Sequence, residues 1–134
     1  MITAPSDPDF TCEKTDHAKW PWLLLTDPHP RYINVPGTWI HDYYQIKDKV
    51  LTVKKGYAWN GASGPAIDDI TTIRASCFHD AMYQMIEDGE LDEAVARKPA
   101  DLMYKDIMLE DGAPWWRAAY HYWAVRLFGG LFAR

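Results

Sequence analysis

Cysteine, net positive charge and long apolar runs are all scarce in this chain, and each shortage removes a class of protein. The 134 residues hold two cysteines, Cys12 and Cys77, which excludes the dense disulfide frame of small secreted domains and leaves at most one bridge between them. Lys and Arg number 14 against 19 Asp and Glu, a formal charge of −5. The basic field that displaces counterions from nucleic acid is therefore missing, and no nucleic-acid partner is expected. The opening MITAPSDPDF has neither a basic nor an apolar signal region, and the longest apolar-rich stretch is interrupted by Arg117, His121 and Arg126. No cleaved signal and no membrane-spanning helix are expected.

What the chain has in abundance is aromatic residues, with seven Trp and eight Tyr, more than a core of this size requires. It is long enough for one domain with a real core. Proline divides it: Pro5, Pro8, Pro21, Pro28, Pro30, Pro36 and Pro65 break any long helix in the first half. Strands are expected at 22–26, 31–35, 38–46 and 50–55, with TDPHP, VPG and KDK as turns between them. From Thr71 the apolar period becomes helical, with Phe78, Met82, Met85 and Ile86 on one stripe and Asp88–Gly89 as the stop, which predicts a helix over 71–87. Pro99 is placed to open a second helix that runs to Gly112, after an acidic stretch with room for one helical turn. Pro114 opens a third, which Gly129 and Gly130 should end. The expected fold is a single α+β domain: a small N-terminal antiparallel sheet (strand-rich 18–56), a loop (57–70) and about three helices (71–130).

The chemistry concentrates in YAWNGASGPAIDDITTIRASCFHDAMYQ, residues 57–84. On the helix, His79 and Tyr83 are i, i+4 neighbours on the shoulder of the apolar stripe, while Asp80 points about 100° away toward the preceding loop. A hard cation such as calcium takes six to eight oxygens, a demand that Asp80 and the carbonyls of a turn such as WNGASG could meet together. The imidazole of His79 is then free to act as a general base for water. Such a base needs an acceptor on its other nitrogen; Asp101 is the first candidate and Asp106 the weaker one.

This order of loop, helix with HDAMY, and later helix with ADLMYKDIM resembles the active-site layout of secreted phospholipase A₂ enzymes of the bacterial and fungal type. The resemblance implies His79 as the base, Asp80 as a calcium ligand and Trp59, Asn60 and Gly61 as the ion loop. It also implies Asp101 as the orienting carboxylate, with Tyr83 as its hydrogen-bond partner. More of the chain, from LTVKKGYAWNGASGP through FHDAMY and RKPADLMY to WAVRLFGG, resembles a family of small proteins encoded by tailed phages and prophages. Together with the expected absence of a signal and of a spanning helix, that resemblance implies a host-cytoplasm or virion location. It lends no activity.

Bland alternatives stand beside each residue. His79 could be a structural hydrogen-bond hub, since HDYY at 41–44 is a second His-Asp pair without a supporting loop. Asp80 could be solvated or cap loop amides, and Asp101 is favoured by the helix dipole alone if Pro99 begins its helix. Asn60, Gly61, Ser63 and Gly64 could simply build turns, and Ser63 lacks the G-x-S-x-G setting of a nucleophile. No tight His spacing supports zinc. A helical His-Asp phosphohydrolase using His41, His79, Asp80 and Asp101 conflicts with the strand-rich first half.

Helix 114–128 is aromatic and apolar nearly all round, and residues 113–134 carry three Arg and no acid. Burial against the sheet or another subunit is its expected use, with membrane lipid, a phage or host protein, or a second copy as the partners it could meet. Two functions are thus expected: calcium-dependent hydrolysis of an ester, including lipid, or a non-enzymatic virion or assembly role with a structural His-Asp helix.

Overall fold

In a computed structural model, described over residues 1–61 and 69–132, two antiparallel sheets precede three helices. The first sheet has the order β1 (Ile2–Ala4), β2 (Asp7–Lys14), β3 (Trp22–Leu24), β8 (Ala58–Trp59). The second has the order β4 (Arg31–Tyr32), β7 (Val50–Val53), β6 (Tyr44–Lys47), β5 (Trp39–Ile40). The α+β class is as expected, but the sheet is two sheets. β1 and β2 were not anticipated, because Pro5 and Pro8 read as breakers. Pro5 lies in the turn between these strands, and Pro8 is an exposed residue near the start of β2, where its missing N–H is tolerated. The single strand expected over 38–46 is instead two short strands, β5 and β6, which pair as a hairpin around His41–Tyr43.

The β6–β7 hairpin forms as KDK suggests. Lys47 pairs with Val50, and both residues of the two-residue turn, Asp48 and Lys49, take left-handed φ values of 53° and 60°. That is the backbone of a type I′ turn, whose twist matches the strands it joins. Trp22 and Trp59 pair across β3 and β8, and with Phe10 and Tyr57 they form an aromatic floor under the helices.

α1 (Ile73–Glu87) is central, packing on β7 and β8 on one side and on α2 on the other. It is therefore buried around most of its circumference rather than along one stripe, and Asp80 and Gln84 mark the side that stays partly open. Its end is as expected: Asp88 is the C-cap and Gly89 follows with φ +78°.

α2 spans Glu93–Glu110 and differs from the expected start. Asp92 is the N-cap, its side chain accepting the Ala94 amide at 3.0 Å, and Pro99 lies inside the helix. Pro99 cannot donate to the Val95 carbonyl, but Val95 is on the exposed face, where water can take that bond.

α3 (Trp115–Phe132) runs through Gly129 and Gly130 instead of ending there, and it packs on α2 rather than on a sheet. Cys12 and Cys77 are both buried and free. Burial raises the Cys12 thiol pKa to about 11.

Candidate functional site

The centre of the site is a carboxylate shared by three helices. Asp101 is fully buried on the inner face of α2, one turn before Tyr104. Its Oδ1 lies 2.7 Å from His79 Nε2 and accepts the Tyr83 hydroxyl at 2.6 Å, and its Oδ2 accepts Arg126 Nη1 at 3.0 Å. The i, i+4 spacing of His79 and Tyr83 on α1 is what lets one oxygen receive both. Because α2 starts at Glu93, Asp101 sits in the third turn, and the dipole explanation for an acid there falls away.

Burial pushes the Asp101 carboxyl up. Its bond and charge interaction with His79, together with Tyr83 and Arg126, outweigh that and hold it below the usual carboxylate value. An ionised Asp101 only accepts, so His79 carries its proton on Nε2 when neutral, and Nδ1 is the nitrogen able to take another. The imidazole is held on two sides by rings: Tyr83 at 4.1 Å between centroids and Tyr104 edge-on at 5.0 Å. Tyr104 in turn lies 3.2 Å from His121 Nδ1 on α3.

A second layer fixes Tyr83. Arg97 Nε donates to its hydroxyl at 3.3 Å, while Arg97 Nη2 ties to the Val125 and Arg126 carbonyls at 3.2 and 2.8 Å. Gly129 is in van der Waals range of the same ring: a Cβ there would lie 2.7 Å from the Tyr83 hydroxyl oxygen. The glycine read as a helix stop is thus a close-approach position within the helix. Burial, followed by the Asp101 charge, raises the Tyr83 pKa far above its ordinary value, so it stays a donor.

His79, Asp80 and Tyr83 line a cavity of about 800 Å³ together with Asn60 and Gly61 and with Ala124, Val125 and Phe128 of α3. This is ample for a small organic ligand. Asp101 lies behind His79, off the cavity wall. Gly61, at φ +88°, donates its amide to Asp80 Oδ2 at 3.3 Å, so Asp80 does face the preceding loop. Ser63 and Gly64, and the other loop carbonyls of 62–68, lie outside the described residues.

Trp59 belongs to the core. It is fully buried as the last residue of β8, and its indole N–H donates to Ser76 Oγ at 3.0 Å. Only its backbone could serve an ion. Asp106 lies on α2 away from the cavity wall. His41 pairs with Glu90 at 2.8 Å rather than joining His79, which leaves the phosphohydrolase constellation unassembled.

The profile of the DUF1353 family, described as a protein of unknown function, matches residues 40–125. The chain belongs to this family. No curated protein and no solved structure matches it. In this DUF1353 chain the matched span contains His79, Asp80, Tyr83, Asp101 and Tyr104, whereas Arg126 and Gly129 fall just beyond it. Sequence reasoning missed Tyr104, Arg97, Arg126 and Gly129 as parts of the site. For Tyr104 a signal was present, since it follows Asp101 at i+3 on the same helical face. Arg97 and Arg126 reach the site only because α2 and α3 pack together.

Among the described residues, the ligand atoms that converge as a metal group would are those of Asp7, Asp9 and His29, away from this cavity. Asp7 is already engaged there by His29 and the Asp9 amide.

Proposed function

We propose that the protein hydrolyses an ester, with His79 as general base for the attacking water. One observation carries the reading: a buried aspartate bonds one nitrogen of an imidazole that lines a cavity, which leaves the other nitrogen for proton transfer. Asp101 holds the tautomer and stabilises the imidazolium formed when His79 takes the proton. Tyr83 and Arg126 keep that carboxylate ionised. The proton then passes from His79 to the leaving alkoxide. The apolar wall of Ala124, Val125 and Phe128 favours a substrate with an alkyl or acyl group, including lipid.

Calcium is the cofactor we propose, held by the Asp80 carboxylate and the backbone oxygens of Trp59, Asn60 and Gly61. When bound it would polarise the ester carbonyl. Asp80 suits a hard cation in donor type and faces that segment. The phospholipase A₂ resemblance and the phage-family resemblance support a phage-encoded enzyme acting on host lipid.

Hydrolysis of p-nitrophenyl butyrate and of phosphatidylcholine micelles, with calcium and with chelator, tests the reading. His79→Ala should remove about 10²–10⁴-fold of the rate while the fold persists. Calcium at about a hundred times its Kd should add about 2.7 kcal/mol of stability, lost in Asp80→Asn. A wild type inert toward both substrates under every calcium condition sinks the proposal.

A second reading, a non-enzymatic assembly component, is favoured by one feature. Asp101 has a partner on both oxygens, as a purely structural hub would.

A further inference from the structure

α3 has no polar face. Trp116, Tyr120, Trp123 and Leu127 succeed one another at spacings of four, three and four, which keeps them within a band about 60° wide on the helix surface. They are 61%, 51%, 59% and 69% exposed. The opposite side is used: Ala118 and His121 are buried, and Val125 and Phe128 line the cavity. A continuous aromatic band on the outside of an otherwise packed helix marks a surface made for a partner.

The chemistry of the band selects that partner. Its rings carry two indole N–H groups, of Trp116 and Trp123, which need acceptors once covered. Residues 113–129 contain no Asp, Glu, Asn, Gln, Ser or Thr. A second copy docked on the same face would add more donors and almost no acceptor. The headgroup region of a bilayer offers ester carbonyls and phosphates at the depth where an indole body enters the acyl chains, and Trp and Tyr concentrate there for that reason.

The band itself is nearly without free charge: the formal charges in residues 113–129 are Arg117 and Arg126, which are engaged by Asp69 and Asp101. On neighbouring α2, Lys105 places its ammonium 5.3 Å from the Tyr122 ring, while a second cleft mixes Arg97, Lys98 and Arg126 with Asp92 and Glu93. No described helix is long and apolar enough to cross a membrane, so this one would lie along the surface.

We propose that the outer face of α3 docks the protein on a lipid bilayer, with Trp116, Tyr120, Trp123 and Leu127 inserted at the headgroup level. Phe128 belongs both to the exposed end of this helix and to the cavity wall, so docking would set the cavity beside the lipid. The surface stands whether or not His79 hydrolyses anything.

Vesicle flotation tests it, using phosphatidylcholine vesicles. The wild type should float with the vesicles and shift its tryptophan emission to the blue. Trp116→Ala combined with Trp123→Ala, and separately Leu127→Glu, should weaken binding about tenfold or more. Unchanged melting temperatures would show that the fold is intact. Three results overturn the proposal: no flotation of the wild type, binding untouched by both variants, or a dimer that both variants dissolve while vesicles are ignored. Flotation needs no turnover, so absence of ester hydrolysis would count against the catalytic reading alone.

Discussion

Asp101 and Asp111 lie ten residues apart at the middle and the end of α2, both buried and both bound to an arginine from another helix, yet they belong to different kinds of structure. Asp111 is the C-cap of α2. Its Oδ2 accepts Arg74 Nε at 3.0 Å, and its Oδ1 accepts the Ser6 amide at 3.0 Å and the Ser6 hydroxyl at 2.5 Å. Arg74 also reaches Glu110, which Arg31 of β4 grips with both Nη atoms at 2.5 and 2.8 Å. That network ties the β1–β2 turn, the start of α1, the end of α2 and the second sheet into one unit. Its cations are guanidiniums, which do not titrate in the working range, so it can hold but cannot transfer a proton. Asp101 differs in one respect: its partner His79 is an imidazole, a group able both to accept and to give a proton, and it lines a cavity. Two similar buried carboxylates thus separate into a clamp and a candidate catalytic support by the chemistry of what they face.

The contrast is sharpest under matched substitution. Asp101→Asn should lower ester hydrolysis by about 10³–10⁴-fold, because an amide can stabilise the wrong imidazole tautomer, and the loss should appear in kcat more than in KM. If Asp101→Asn leaves kcat intact, Asp101 is as structural as Asp111. Asp111→Ala strands Arg74 with half its partners and should cost about 3–5 kcal/mol in urea unfolding, while the folded fraction keeps its activity. A loss of activity in that folded fraction would erase the distinction.

Gly129→Ala should cost about 1–3 kcal/mol and reduce activity, since the new Cβ displaces the Tyr83 hydroxyl from Asp101. Unchanged stability and rate would mean that the close approach does not matter. pH separates the two carboxylates further. Asp101 titrates lower folded than unfolded, so its stabilisation is whole above the ordinary carboxylate range and is lost as pH falls through the folded value. The stability gap between wild type and Asp101→Asn should therefore close below about pH 4; a gap that stays constant there would contradict the assignment.

Tyr57 supplies the smallest effect. Its hydroxyl is buried without a hydrogen-bond partner among the described residues, and burial, then the Asp80 charge, raises its pKa well above the ordinary value. Tyr57→Phe should change stability by no more than about 1 kcal/mol, in the stabilising direction. A clear destabilisation would reveal an ordered partner for that oxygen.

Legibility in the sequence followed the range of the interactions. The α1 boundaries, the KDK hairpin turn and the His79–Tyr83 spacing rest on neighbours within a few residues, and all were readable. The start of α2 was misread because Pro99 carries a strong local signal for a first turn, while the competing cap, Asp92 with Glu93 after it, is equally local but was overlooked. β1 and β2 were hidden by prolines whose cost is cancelled by their places in a turn and at an exposed strand position. The abundant aromatic residues serve several places in the fold. Trp22 and Trp39 are in strands, but Trp59 is a core residue bonded to Ser76, and Trp20 stands at the cavity rim.

The sequence alone determined the α+β class, the acidic charge, the position of α1 and the placing of an imidazole and a phenol one turn apart, because periodicity, turn residues and composition act through the chain's own neighbours. Only the tertiary structure decided that Asp101 faces both, that Arg126 and Arg97 complete the arrangement from α3 and α2, and that Gly129 must be small. It also decided which side of an all-apolar helix is covered. Those outcomes depend on which helices meet and at what rotation, and one turn of periodicity cannot encode a meeting between elements twenty or fifty residues apart.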